Sequence, residues 1–325
     1  MPPPTPVDTS AKTFTIDGVE FVQGFMGTST PQQFVISKQG PILDAYVDLL
    51  GESDGRTMVE LGIYAGGSTA LGVLLGNLKR LIAVDLSEPE LALEQFLDDR
   101  DLRGSVHTHY RLDQSDRVEL LARVQADLGG DSIDIVIDDA SHLLPETWAS
   151  FETLFPLLRP GGRYIIEDWC TSAVAVQALV ELLDDEDAAA TALRDGHWLF
   201  NSTVNGSLIS PSMSAALREL VQGDSPLAAR ARAVVDRHSL PLDLPTRRTL
   251  ASIGADLVAV TGARPGVIER VEVDKNWITI TRGPDDLPKE GWTLLRHPGE
   301  AEVLLGCGPL GPVASDQTTS PRFGS

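Results

Sequence analysis

VELGIYAGGST, residues 59 to 69, is the stretch that decides the fold. Its apolar start reads as the end of a buried strand. Gly62, Gly66 and Gly67 then fall in a strand-to-helix turn, where missing side chains let the backbone approach a ligand at a helix N-terminus. The spacing is not the GxGxxG of a dinucleotide fold. Glu60, at the end of the strand, suits a cation better than a pyrophosphate.

Outward from this loop the pattern alternates strand and helix. STALGVLLGNLK carries Leu71, Leu74, Leu75 and Leu78 at helical spacing, with Ser68 or Thr69 as the expected cap. LIAVDL reads as the second strand, ELALEQFLDD as a helix, VHTHYRL as a short strand, RVELLARVQADL as a helix and DIVIDD as a strand. ETWASFETLFPLL is a further helix, and GRYIIED a fifth strand after the turn RPGG. Such alternation implies a parallel sheet with helices on both faces, and ligands of such sheets bind beyond the carboxyl ends of the strands. Upstream, Ile42, Leu43, Tyr46, Val47 and Leu50 mark one helical face, and TFTIDGVEFV suggests a small hairpin. Downstream, residues 171 to 253 look helical. VIERVEV and WITITRG, separated by DKN, read as an antiparallel hairpin.

Composition excludes several classes. The chain has 325 residues, 42% of them hydrophobic and 22% charged, as expected of a globular protein. Its formal net charge of −21 opposes binding to a phosphate backbone, so no nucleic-acid partner is expected. Arg230, Arg232, Arg237, Arg247 and Arg248 run against that trend, either as a solvated helical face or as a receiver for an anionic substrate. Cys170 and Cys307 stand far apart without a CxxC partner, which argues against a disulfide framework or a cysteine-bound zinc. No run approaches a membrane span and the N-terminus lacks a secretory pattern, so a cytoplasmic protein without a membrane partner is expected.

Two strand ends pose a charge problem. DIVIDDASH, residues 134 to 142, and YIIEDW, residues 164 to 169, place Asp138, Asp139, His142, Glu167 and Asp168 where two strands leave the core. Burying an unpaired carboxylate is costly, so either these ends are solvated or a positive charge sits between them.

In this order and on these elements the motifs resemble the class I S-adenosylmethionine-dependent methyltransferases. The loop at 59–69 resembles that family's motif I, whose ligand carries a sulfonium and an ammonium. Asp85, ending LIAVDL, stands where the family binds the two ribose hydroxyls. Asp113 and Gln114 of LDQSD stand where it reads the adenine edge, and RPGG before the fifth strand is typical of it. The resemblance covers about residues 40 to 195 and, more weakly, the hairpin near 265 to 283. It implies that Glu60, Gly62, Gly66, Gly67, Ser68, Asp85, Asp113 and Gln114 bind S-adenosylmethionine.

The strand ends narrow the resemblance to the metal-dependent macrolide sugar O-methyltransferases of the mycinamicin type. Those enzymes carry Asp-x-Ser-His after the fourth strand and a Glu-Asp pair after the fifth. The resemblance therefore implies Asp139, Glu167 and Asp168 as Mg²⁺ ligands and His142 as general base, and it leaves Asp138 without a role. On the residues alone a second account stays open, in which the aspartates cap the following segment and Glu167 and Asp168 are solvated. Trp148 and Trp169 are candidates to line an acceptor pocket, or else core residues.

The expectation is an α/β chain: a doubly wound, mostly parallel sheet of the class I methyltransferase type with a C-terminal antiparallel hairpin. Residues 1–40 would be an N-terminal extension or lid, 41–195 the cofactor-binding core, 196–262 a helical insertion shaping the acceptor site, 263–305 the hairpin completing the sheet, and 306–325 a disordered tail. The expected activity is methyl transfer to a hydroxyl oxygen of a small secondary metabolite or its sugar, in a chain compatible with a homo-oligomer. Two alternatives stand beside it: a metal-independent small-molecule methyltransferase, and a non-catalytic binding protein that keeps the fold.

Overall fold

A computed structural model of the chain describes residues 10–24, 27–38, 40–170 and 253–294, with the single positions 229 and 250. The arginine cluster, most of the expected insertion and the 306–325 tail lie outside the described residues.

Seven strands form one sheet. In chain order the described elements are β1 (Thr13–Ile16), β2 (Val19–Gln23), β3 (Gln33–Ile36), α1 (Pro41–Gly51), β4 (Thr57–Leu61), α2 (Gly67–Leu75), β5 (Arg80–Val84), α3 (Leu91–Asp99) and β6 (Val106–His109). They continue with α4 (Arg117–Leu128), β7 (Ile133–Asp138), α5 (Leu144–Leu154), β8 (Leu158–Glu167), α6 (Ile253–Ala263), β9 (Ile268–Val273) and β10 (Trp277–Arg282). The order across the sheet is β6-β5-β4-β7-β8-β10-β9. The first five are mutually parallel, and β10 runs antiparallel to both β8 and β9. This is the doubly wound sheet with a closing hairpin that the alternation predicts. Because β5 lies on one side of β4 and β7 on the other, the strand order reverses between β4 and β7. A crevice opens there, beyond the strand ends.

Strand parity sorts the core. Met58, Leu81, Ala83, Ile135 and Ile165 face a cluster with Leu43, Tyr46, Leu71 and Phe96 from α1, α2 and α3. Val59, Ile82, Val136, Tyr164 and Ile166 face the opposite cluster with Leu120, Val124, Phe151 and Leu257 from α4, α5 and α6. The same parity sends Glu60 toward α1 and α2 and Asp138 toward α5, since side chains alternate between faces along a strand.

Four local expectations change. The cap of α2 is Gly66, with no side-chain cap bond, because the Thr69 hydroxyl is spent on Glu60 at 2.7 Å. That helix ends at Leu75, before Leu78, although Leu74, Leu75 and Leu78 still pack against the core. RPGG is a bulge inside β8 rather than a turn before it, since pairing jumps from Ile133–Leu158 to Ile135–Arg163. The N-terminal hairpin carries a third strand, β3, parallel to β2. Trp148 is a buried core residue, and the Trp169 indole donates to the Asp274 carbonyl at 2.8 Å.

Candidate active site

The crevice is built around Gly62. Its φ is +99°, and a Cβ there would lie 2.1 Å from the carbonyl oxygen of Asp139. The Asp139 amide in turn donates to the Leu61 carbonyl at 2.9 Å. The turn after β4 and the turn after β7 are thus pressed together, which only a residue without a side chain permits. Gly67 has a different neighbour: a Cβ would meet the Val35 carbonyl oxygen at 2.2 Å. The end of β3 lies against the start of α2.

Two adjoining cavities share Gly62, Tyr64, Asp139 and Ala140. The larger, about 710 Å³, is lined by Asp85, Glu88, Asp113 and Gln114. Asp85 accepts from the amides of Ile63 at 2.7 Å and Tyr64 at 2.9 Å through Oδ2, and from Ser87 at 2.7 Å through Oδ1. It therefore braces the glycine loop while remaining on the cavity wall. Asp113 Oδ1 accepts from the Ser115 amide and hydroxyl at 2.8 and 2.7 Å, closing a local turn. Gln114 is buried. Its Nε2 donates to Ser150 at 3.1 Å and to Asp138 at 3.3 Å, and its Oε1 accepts from the Ser141 amide at 3.1 Å. The amide of Gln114 is thus committed to protein partners.

The smaller cavity, about 260 Å³, is lined by Lys38, Ser68, Asp139, His142, Glu167 and Asp168, among others. His142 Nε2 lies 3.0 Å from Asp139 Oδ1 and 4.0 Å from Asp168 Oδ2. Both His142 and Asp168 sit at positive φ, 54° and 52°, a conformation uncommon for such residues that turns their side chains back over the strand ends. Oxygen or nitrogen atoms of Asp139, His142 and Asp168 converge within 4.8 Å of one another. Glu167 is not in that convergent set.

The positive charge between the strand ends is Lys38. Its Nζ lies 2.9 Å from Asp139 Oδ2 and 2.6 Å from Glu167 Oε2, with Lys38 and Glu167 each 3% exposed. The only sign of it in the sequence is a single lysine two residues past the apolar run QFVI. Burial lowers the affinity of this amine for its proton, but Asp139 and Glu167 outweigh burial and hold it well above the usual lysine range. Burial likewise raises Asp139, yet Lys38 and His142 overcome it and hold the carboxyl below its ordinary value. Glu167 goes the other way. Burial and the neighbouring Asp139 and Asp168 carboxylates, opposed by Lys38, push it up to about 8. Its Oε1 is buried with no hydrogen-bond partner. Burial lowers the His142 imidazole, but Asp139, Asp168 and Asp138 outweigh it and raise the ring to about 9.

Glu60 and Gly66, both expected to bind the cofactor, and Asp138, which the resemblance leaves without a role, lie off the walls of these two cavities. Glu60, 1% exposed, lies beneath the glycine loop and accepts from Thr69 and Tyr46. Asp138, 2% exposed, accepts from Tyr164 and Ser150, each at 2.7 Å. The Gln114 side chain ties this Asp138 network to the Ser141 amide, one residue before His142.

Part of the chain is similar in sequence to known methyltransferases. Residues 59–169 match the model of a methyltransferase domain. A stretch of 60 residues is 53% identical to an 8-demethyl-8-alpha-L-rhamnosyl tetracenomycin-C 2'-O-methyltransferase of Streptomyces olivaceus, covering 18% of this chain and 15% of that protein. Another match of 60 residues is 48% identical to a mycinamicin VI 2''-O-methyltransferase of Micromonospora griseorubida, covering 18% and 14%. The chain thus matches only a small part of the length of either relative. Among solved structures, a methyltransferase of the mycinamycin biosynthetic pathway in complex with Mg and SAH aligns at 20% identity and a TM-score of 0.40, over 78% of this chain and 52% of that one. The glycine loop and both acidic strand ends fall within residues 59–169, the part of the chain that matches a methyltransferase domain.

Proposed function

We propose that the chain moves the methyl of S-adenosylmethionine to a hydroxyl oxygen of a small secondary metabolite or its sugar, with His142 as the proton acceptor and Mg²⁺ beside it. The observation that carries this is the meeting of two chemistries in one crevice. The glycine loop and Asp85 bound one cavity, and Asp139, His142 and Asp168 converge in the next, with Gly62 shared between them. The activities for which the two relatives are named, both O-methyl transfer, point the same way.

The donor set suits a hard divalent cation, which takes carboxylate oxygens and keeps room for other ligands. Asp139 and Asp168 offer converging oxygens, and Glu167 Oε1 is a buried oxygen in need of a partner. When bound, such a cation would lower the pKa of an acceptor hydroxyl. S-adenosylmethionine supplies the methyl on a sulfonium. The protein supplies alignment and a base. Asp85 keeps the loop amides of Ile63 and Tyr64 in place, and Asp139 orients the imidazole through Nε2, leaving Nδ1 as the nitrogen to take the hydroxyl proton. The metal-independent alternative draws its support from Lys38, which already neutralises part of the acidic cluster.

The test is methyl transfer from labelled S-adenosylmethionine to a panel of glycosylated and free hydroxyl acceptors, before and after exhaustive chelation. Loss of activity on chelation and its return with Mg²⁺ are expected, and full activity of the chelated protein would remove the metal. His142→Ala should lower kcat by about 10² to 10⁴ with cofactor affinity retained. Near-native turnover of that variant would remove His142 as the base.

A further inference from the structure

We propose that Lys38 is a tethered competitor of the metal: its ammonium and a divalent cation are alternative occupants of the oxygens of Asp139 and Glu167. This rests on the metal-assisted function proposed above. The ammonium contacts Asp139 Oδ2 at 2.9 Å and Glu167 Oε2 at 2.6 Å. A Mg²⁺ ion binds oxygen at about 2.1 Å, so an ion shared by those two oxygens would take the place of Nζ. Two cations do not fit there, and their repulsion in a buried site is strong.

The ligand sets carry the argument further. With Lys38 seated, the atoms that converge belong to Asp139, His142 and Asp168, and Glu167 is excluded. A cation on that set would take the imidazole as a ligand and leave no base beside it. Replacing His142 by Glu167 gives three carboxylates, the chemistry a hard cation prefers, and frees the imidazole. That exchange requires Lys38 to withdraw. The lysine is placed to do so, since it lies in the connection between β3 and α1 and belongs to neither element. In the seated position its Nζ also lies 4.9 Å from the centre of the Tyr46 ring, a contact that withdrawal gives up.

The decisive measurement needs no acceptor. The native chain is treated with an amine-reactive label with and without saturating Mg²⁺, and modification of each lysine is read by peptide mass spectrometry. Modification of Lys38 should rise severalfold with Mg²⁺, while Lys79, already 53% exposed, stays constant. Titration with Mn²⁺ as the probe metal should show K38M binding at least about tenfold more tightly than the native chain, as expected when a competing buried charge is removed. Adding E167Q to K38M should abolish that gain. Equal protection of Lys38 with and without Mg²⁺ while Mn²⁺ binds would overturn the proposal, as would a K38M that folds and binds Mn²⁺ no better. Should K38M not fold, labelling of the native chain decides alone. Binding of S-adenosylmethionine, measured in parallel, separates the two levels. A chain that binds it but no Mn²⁺, with or without Lys38, ends the competition and keeps the methyl-transfer function, whereas a chain that binds neither ends both.

Discussion

Replacing Gln114 by Met tests whether this residue reads a cofactor or holds a loop. Met has nearly the same length and volume, so packing is preserved while every polar contact is lost. Its orientation in the native chain is fixed by chemistry. The Ser141 amide can only donate, so the atom facing it must be Oε1, and Nε2 is left for Ser150 and Asp138. The substitution therefore removes an acceptor from a half-buried amide, worth about 1 kcal/mol, and a donor from a buried carboxylate. At 3.3 Å that second bond is long, and about 1 to 1.5 kcal/mol is appropriate. Asp138 keeps Tyr164 and Ser150, each at 2.7 Å, so it is not left bare. With the Nε2 bond to Ser150 at 3.1 Å, worth about another 1 kcal/mol, the sum is a loss of about 3 to 3.5 kcal/mol, to be read by urea unfolding at constant m. Calorimetric affinity for S-adenosylmethionine should change less than about threefold, that is, by less than one neutral hydrogen bond. A variant as stable as the native chain that binds the cofactor more than about tenfold more weakly would refute this, and would return Gln114 to the adenine edge.

Gly67→Ala should destabilise the fold by about 2 to 4 kcal/mol in the same assay, because its Cβ would lie 2.2 Å from the Val35 carbonyl oxygen and 2.9 Å from its carbon, neither of them a movable side chain. Asp85→Ala should weaken S-adenosylmethionine by about 1.5 to 3 kcal/mol and also lower stability, since the Ile63 and Tyr64 amides lose their acceptor; unchanged affinity in a folded variant would contradict it. Burial raises Glu60 despite hydrogen bonds from Ser68 and Thr69, so its folded pKa lies above its unfolded one. Its contribution is then fully present below about pH 4.5 and declines as pH rises through the raised value. Denaturant titrations from pH 4.5 to 7 should show this decline in the native chain and a flatter profile in Glu60→Gln.

The parts of the fold carried by local pattern were legible in the sequence. Alternation of apolar runs, helical stripes and turn residues is a property of neighbours along the chain, and it placed β4 through β8 and the closing hairpin of β9 and β10. Local rules put the cap of α2 at Ser68 or Thr69 and miss Gly66, because Thr69 has a partner nine residues earlier, Glu60, that they do not see. No local signal marks β3, because QFVI is only four residues long and has no alternation. Its parallel partner β2 is reached only through an intervening loop.

The acidic cluster shows why residue types at a site are easier to read than their partners. DIVIDDASH and YIIEDW place five ionisable groups at two strand ends, and the cost of desolvation then leaves two options, solvated ends or a positive charge between them. Which groups meet is set by strand parity and register. Asp138 and Asp139 are adjacent in sequence, yet one turns under the sheet toward Ser150 and Tyr164 while the other opens into the crevice beside His142. Glu167 shares the parity of Ile165, and so faces the side where Tyr46 lies and where Lys38 arrives from the N-terminal strands. The partner in question is 101 residues from Asp139 and 129 from Glu167, beyond the reach of any motif. The consequence is chemical as well as geometric. Lys38 already neutralises part of the acidic cluster, so under the proposed function a need for Mg²⁺ would come from the reaction, through the hydroxyl that must lose its proton.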